Sequence, residues 1–183
     1  MNQLKKIKLL LLDVDGILTN GKKLYSPNGK IIGKEFCDLD FTAIKIFKSL
    51  LIKVIFISGD QTCNRSIAHN RNIDFYYTRK GKLNKDKLFF LSKIEKKYNV
   101  KKANIAFLGD DIFDLSLGEN VGCFVVPNNS MNVLKKKADY ILKGNSGCYL
   151  LKEFLDLYLK TNKINYINIK KIYELEVQEK QKY

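Results

Sequence analysis

Leu9-Leu10-Leu11-Leu12-Asp13-Val14-Asp15-Gly16-Ile17-Leu18-Thr19 is the stretch that decides the fold of this chain. Four consecutive leucines read as a short strand buried on both faces, the pattern of a parallel sheet. The strand ends on two carboxylates one residue apart, followed at once by a glycine. In an open α/β sheet ligands bind beyond the carboxyl ends of the strands, which is where Asp13 and Asp15 emerge. Acids this close repel unless a cation sits between them or one holds a proton. The segment therefore offers a metal ligand, a nucleophile and an acid/base within three residues.

Outward from it, strand-like and helix-like segments alternate. Lys22 to Tyr25 and Lys30 to Phe36 flank a Ser26-Pro27-Asn28-Gly29 turn and predict a small β-hairpin at about residues 21–36. Apolar residues at 41, 44, 47, 50 and 51 predict a helix with Asp40 as its N-cap. Val54 to Ile57 is a second buried strand, ending at Ser58-Gly59. A helix to about Asn70, a strand at Asp74 to Tyr77 and a helix over Lys85 to Tyr98 follow. Ile105 to Leu108 is another strand that ends on acids, Gly109-Asp110-Asp111-Ile112-Phe113-Asp114. Val121 to Val126 and Tyr140 to Leu142 complete the strands, and Gly147 to Lys160 reads as the closing helix. The alternation predicts an α/β fold, a doubly wound, Rossmann-like parallel sheet with helices on both faces. Residues 1–160 read as one domain and 161–183 as a tail with room for one short helix.

Composition narrows the function classes. The formal net charge of +14 raises nucleic-acid binding, but the arginines are only Arg65, Arg71 and Arg79. Base readout and bidentate phosphate contacts lean on arginine, so an excess made of lysine favours small anionic substrates instead. No apolar stretch approaches the ~20 residues that span a bilayer, and the start leaves no room for a signal peptide. Cys37, Cys63, Cys123 and Cys148 form no Cys-x-x-Cys pair, which argues against zinc or a disulfide framework and for a reducing, cytoplasmic setting.

The strand ends together bring Asp13 and Asp15, Ser58 and Gly59, and Asp110 with Asp114 to one sheet edge, with Lys87 opening a helix nearby. Carboxylates from two strands suit a hard ion such as Mg²⁺, which takes one or two carboxylates plus phosphate. A Ser-Gly turn offers a hydroxyl and N–H groups to an anion, and lysine a compact positive charge. Such a set suits phosphoryl transfer, where positioning and charge neutralisation supply most of the catalysis.

In order and spacing, Asp13-Val14-Asp15-Gly16, Ile57-Ser58-Gly59, a downstream lysine and Gly109-Asp110-Asp111-x-x-Asp114 resemble the four motifs of the haloacid dehalogenase superfamily across residues 7–160. Gly21 to Phe36, with Tyr25 and Gly29, followed by Asp40 and Ile44, is similar to the capless 3-deoxy-D-manno-octulosonate 8-phosphate phosphatases and their nonulosonate-phosphate relatives. The twenty-four residues between Asp15 and the Asp40 helix leave no room for a cap domain there.

The resemblance implies a cytoplasmic Mg²⁺-dependent sugar-phosphate phosphatase, in lipopolysaccharide biosynthesis in the octulosonate branch, assembled as a homotetramer through the hairpin. It implies Asp13 as nucleophile and Asp15 as acid/base. Asp13, Asp110 and the backbone carbonyl of Asp15 are the implied metal ligands, and Ser58 and Gly59 the implied phosphoryl grip. Lys87 is the implied charge neutraliser, with Lys85 as rival, and Asp114 with Asp111 are in support. Two sites depart from the octulosonate pattern, and Thr78 to Asn84, rich in lysine, is extra length just before Lys87. Asp60 stands where an arginine is typical, and Asn145-Ser146-Gly147-Cys148 replaces a Gly-Gly-Arg-Gly loop. Asp60 makes a nonulosonate 9-phosphate the alternative substrate. The rival of another class is a basic nucleic-acid-binding module.

Overall fold

The structure is a computed structural model that describes residues 3–80, 83, 84, 86–147 and 149–179. Lys85 and Cys148 lie outside the described residues. Ten strands run in chain order: β1 (Leu9–Leu12), β2 (Leu24–Tyr25), β3 (Ile31–Gly33), β4 (Lys53–Ser58), β5 (Asp74–Tyr77), β6 (Arg79–Lys80), β7 (Leu83–Asn84), β8 (Ile105–Leu108), β9 (Cys123–Val126) and β10 (Tyr140–Ile141). The helices are α1 (Asp38–Ser49), α2 (Asn64–Asn70), α3 (Leu91–Tyr98), α4 (Leu115–Gly118), α5 (Asn132–Lys135), α6 (Leu150–Asn162) and α7 (Ile169–Gln178).

Six strands form one sheet in the order β10-β9-β8-β1-β4-β5, every pair parallel. From β1 the chain winds one way through β4 and β5, then returns to the other side of β1 with β8. The direction reverses between β1 and β8, the switch point where open α/β sheets bind ligands. Leu12 is in register with Phe56 of β4 and Leu108 of β8, so the acids after β1 and β8 and the Ser-Gly turn after β4 leave the sheet at one level.

Strand alternation sorts the core into two layers. Leu10, Leu12, Val54, Phe56, Ala106 and Leu108 face Phe41, Ile44 and Phe47 of α1 and Leu150, Leu151 and Phe154 of α6. Leu9, Leu11, Ile55, Ile57, Ile105 and Phe107 face Leu91 and Ile94 of α3, Leu117 of α4 and Leu134 of α5. All four β1 leucines are fully buried. Burying a leucine contributes about 1.5–3 kcal/mol, so this strand anchors both layers.

Asp40 does not cap its own helix. α1 begins at Asp38 behind Cys37, whose side chain makes no capping bond. The buried Asp40 carboxylate instead accepts the N–H groups of Leu151 and Lys152, both at 3.0 Å. It thus satisfies two orphan donors at the start of α6, which α1 packs against. The helix predicted from residue 85 is a 3-10 turn, Lys87–Phe90, leading into α3, and Asp86 caps it by accepting from Leu88 N at 2.9 Å.

β2 and β3 pair antiparallel around the Ser26–Lys30 turn, where Gly29 takes φ +74°. Between β1 and α1 this hairpin is the only inserted sheet among the described residues, and no cap domain is present there. Beyond residue 160, α7 lies along α1. Lys45 pairs with Glu176 and Glu179, and Glu179 also accepts from Arg71 at 2.9 Å. No described helix is long and apolar enough to cross a membrane.

Candidate active site

Asp13 follows the last β1 leucine, and its N–H donates to Leu108 O at 2.9 Å, continuing the ladder toward β8. Its carboxylate is nearly buried. Oδ1 accepts from Val14 N at 2.8 Å, and Oδ2 lies 3.0 Å from the Lys87 ammonium. Lys87 also donates to Asp114 Oδ1, and the other Asp114 oxygen accepts from Asp110 N at 2.9 Å and Asp111 N at 3.1 Å. Asp111 caps the short 3-10 turn over Ile112–Asp114, accepting from Ile112 N at 2.6 Å. Asp114 is therefore a structural clasp: wholly buried, it holds the loop that carries Asp110 and fixes Lys87 beside Asp13.

Asp110 approaches from the β8 side and owes its place to Gly16. A Cβ at residue 16 would stand 1.9 Å from Asp110 Oδ2, and the glycine has φ +86°, a conformation that side chains disfavour. The glycine after Asp13-x-Asp is thus what admits the acid of a distant motif. Carboxylate oxygens of Asp13, Asp110 and Asp114 lie within 4.8 Å of one another. Asp110 Oδ1 is buried and has no hydrogen-bond partner among the described residues.

Electrostatics at this cluster are unbalanced. Burial pushes Asp13 up to about 7 against the opposing pull of Lys87. Burial, then the charges of Asp13 and Asp114, pushes Asp110 up to about 8. Burial alone would lower the Lys87 pKa, but Asp13 and Asp114 outweigh it and hold it above its ordinary value. With all three carboxylates ionised, one ammonium against them leaves two negative charges, and one carboxylate oxygen has no partner among the described residues. A divalent, oxygen-preferring cation answers both the charge and the orphaned oxygen.

The Asp15 carboxylate belongs to a different network. Oδ1 accepts from Lys34 at 2.7 Å, and Oδ2 accepts from Asn64 Nδ2 at 3.1 Å. Lys34, its side chain fully enclosed, also reaches Asp60 at 3.0 Å and Asn64 Oδ1 at 3.0 Å. Lys23 grips the same Asp60 oxygen at 2.9 Å. Burial would raise the Asp60 pKa, but these two lysines hold it well below the usual carboxylate range.

Ser58 is buried at the end of β4, and its hydroxyl oxygen accepts from Asp60 N and Asn64 Nδ2, both at 3.1 Å. With both acceptor sites used, its O–H remains to donate to an anion. A cavity of about 790 Å³ is lined by Asp13, Asp15, Ser58, Gly59, Asp60, Lys87, Asp110 and Asp111, among others.

The structure thus gathers residues 13, 15, 58, 59, 60, 87, 110 and 111 around one cavity, with Asp114 immediately beneath. Lys34, Asn64 and Lys23 are additions that the sequence motifs do not name. Lys34 is one of 33 basic residues, and nothing in its neighbours marks it. The available signal was its place at the end of the hairpin's second strand, which returns toward β1. In the replaced loop, Ser146 N donates to Asn129 Oδ1 at 2.8 Å, and Gly147 (φ +72°) packs against the Asn20 backbone, so this loop buttresses the segment after Asp15.

Comparison with known proteins places these features in a group. Residues 60–147 match the family profile of haloacid dehalogenase-like hydrolases. A 3-deoxy-D-manno-octulosonate 8-phosphate phosphatase of Haemophilus influenzae is 30% identical over 159 residues, covering 86% of this chain and 86% of its own length. One from Escherichia coli is 29% identical over 159 residues, covering 87% and 82%. The cobalt-bound form of the Haemophilus influenzae deoxy-D-mannose-octulosonate 8-phosphate phosphatase superposes with a TM-score of 0.81 at 26% identity, over 94% of this chain and 99% of that one. The Moraxella catarrhalis 3-deoxy-D-manno-octulosonate 8-phosphate phosphatase, in complex with magnesium, phosphate and KDO, superposes at 0.79 with 27% identity, over 88% and 90%.

Proposed function

Since this chain belongs to the haloacid dehalogenase-like hydrolases, we propose that it is a Mg²⁺-dependent phosphoric monoester hydrolase that cleaves an acidic 2-keto sugar phosphate of the 3-deoxy-D-manno-octulosonate 8-phosphate type. The observation that carries this is the convergence of Asp13, Asp110 and Asp114 within 4.8 Å, beside Lys87 and at the floor of the cavity.

In this reading Asp13 and Asp110 would hold the cation, with the Asp15 backbone carbonyl as a further ligand, and the bound ion would supply charge neutralisation for the phosphoryl oxygens. Asp13 attacks phosphorus through one carboxylate oxygen, the phosphorus–oxygen bond to the sugar breaks, and an aspartyl phosphate forms. Lys87 lowers the repulsion between Asp13 and the incoming anion, and Ser58 O–H and the Gly59 backbone grip the transferred oxygens. Asp15 gives its proton to the leaving sugar oxygen and then takes one from the water that attacks the aspartyl phosphate. Lys34 and Asn64 orient that carboxylate. Asp111 and Asp114 keep the Asp110 loop and Lys87 in place.

Asp60 favours one second substrate. Neutralised by Lys23 and Lys34, it presents an acceptor rather than a cation to the sugar, which suits a nonulosonate 9-phosphate with more hydroxyl or amide donors. Phosphate release from both sugar phosphates with Mg²⁺ present, compared with Asp13→Asn, separates the two. Inertness of every phosphomonoester tried would overturn the assignment.

The assembly is a homotetramer in this proposal. Leu24, Tyr25 and Ile32 of the β2–β3 hairpin are 64%, 56% and 59% exposed. A two-stranded hairpin with apolar residues facing water is marginal alone and gains from burial against other copies.

A further inference from the structure

Three cations line the cavity among the described residues: Lys23, Lys87 and Arg79. Two are already committed to carboxylates of the protein. Lys23 lies 2.9 Å from Asp60, and Lys87 lies between Asp13 and Asp114. Lys34, enclosed behind them, is divided between Asp15 and Asp60. Arg79 alone of the lining cations forms no ion pair with a described carboxylate.

Its position is fixed by the fold. Thr78, buried, donates its N–H to Ser58 O at 3.1 Å, tying the start of β6 to the end of β4. Arg79 then pairs antiparallel with Asn84 of β7, within the extra length that separates β5 from Lys87. From there its side chain crosses the Ser58-Gly59 turn. A Cβ at residue 59 would stand 2.9 Å from Arg79 Nε, so only a glycine lets the arginine lie this close.

Depth separates Arg79 from the groups assigned to the phosphoryl end. Asp13, Ser58 and Lys87 are 6%, 1% and 7% exposed, whereas Arg79 is exposed at the cavity's rim. A substrate with its phosphate on the floor brings its opposite end to that rim. Guanidinium is a planar fork matched to a carboxylate, and this one faces the cavity without an ion pair to any described carboxylate.

We propose that Arg79 is a specificity-determining residue that binds the carboxylate of the sugar-acid substrate, an inference that rests on the phosphatase reading above. The test measures Arg79→Gln and Arg79→Lys on two substrates. One is whichever of octulosonate 8-phosphate and nonulosonate 9-phosphate the unaltered protein hydrolyses faster. The other is p-nitrophenyl phosphate, which has no carboxylate. Arg79→Gln is expected to lower kcat/KM at least about tenfold more for the sugar acid than for p-nitrophenyl phosphate, with the loss in KM. Arg79→Lys, keeping the charge but not the fork, is expected to lose less. Equal losses on both substrates would put Arg79 on the phosphoryl group and overturn the proposal, and so would no loss on either. If the unaltered protein hydrolyses p-nitrophenyl phosphate but neither sugar acid, the substrate assignment itself fails and takes this inference with it.

Discussion

Gly16 and Asp110 are in such close approach that the smallest side chain at residue 16 would overlap the carboxylate, with a Cβ 1.9 Å from Oδ2. The acid of the fourth motif reaches the first one only because that position is bare. Gly16→Ala therefore displaces Asp110 and also carries the strain of a φ near +86°. The variant should fold, lose roughly 1 kcal/mol or somewhat more of stability, and lose Mg²⁺ affinity. Titration calorimetry with MgCl₂ checks this. Binding at the unaltered affinity would mean that Asp110 is no ligand.

Lys87 compensates two buried carboxylates, Asp13 and Asp114. Removing one partner of a buried charged group leaves the other uncompensated and costs about 3–5 kcal/mol. Lys87→Met should lower the urea midpoint accordingly and reduce turnover about 10²–10³-fold. In Lys87→Met/Asp114→Asn much of the lost stability should return while activity does not. A Lys87→Met protein as stable as the parent would contradict the clasp described for Asp114.

The acids set a pH dependence with a definite sign. Burial raises Asp13 to about 7 and Asp110 to about 8, both from 3.8. Without a cation the folded state binds more protons than the unfolded chain across that window, so its stability falls as pH rises through it. The cation needs both carboxylates ionised, so protons compete with it. The increase in Tm caused by excess Mg²⁺ should therefore grow steadily between about pH 6 and pH 8.5. Thermal melts with and without Mg²⁺ measure it, and an increase that shrinks with pH would contradict the ligand set.

Leu24 and Ile32 are exposed on a hairpin that the six-stranded sheet does not cover. Light scattering of the unaltered protein should give four times the 21.2 kDa chain mass. Leu24→Asp with Ile32→Lys should give smaller species without unfolding the sheet. A monomeric parent protein would remove the tetramer from the proposal.

Much of this was legible in the chain because it is encoded locally. Four leucines followed by acids, and Ile105 to Leu108 followed by acids, announce strand ends by composition alone. A parallel sheet then brings those ends to one edge. What was not legible depends on distant partners. Asp40 has the residue type and position of an N-cap for α1, yet its carboxylate serves N–H groups 111 and 112 residues away, at the start of α6. Asp15 looks equivalent to Asp13 in sequence, but Lys34 and Asn64 draw its carboxylate into another network. Asp60 is legible in sequence as an acid where an arginine is typical, but the Lys23 and Lys34 that hold it are not.

The central claim is that Asp13, 3.0 Å from Lys87 and grouped with Asp110, becomes phosphorylated during turnover. Rapid acid quench of the protein with octulosonate 8-phosphate and Mg²⁺, followed by peptide mass spectrometry, tests it most directly. The account predicts one phosphoryl group on the peptide containing Asp13, absent when Mg²⁺ is chelated and absent in Asp13→Asn. Phosphate release at full rate by Asp13→Asn, or a phosphoryl group trapped on another residue, would contradict it.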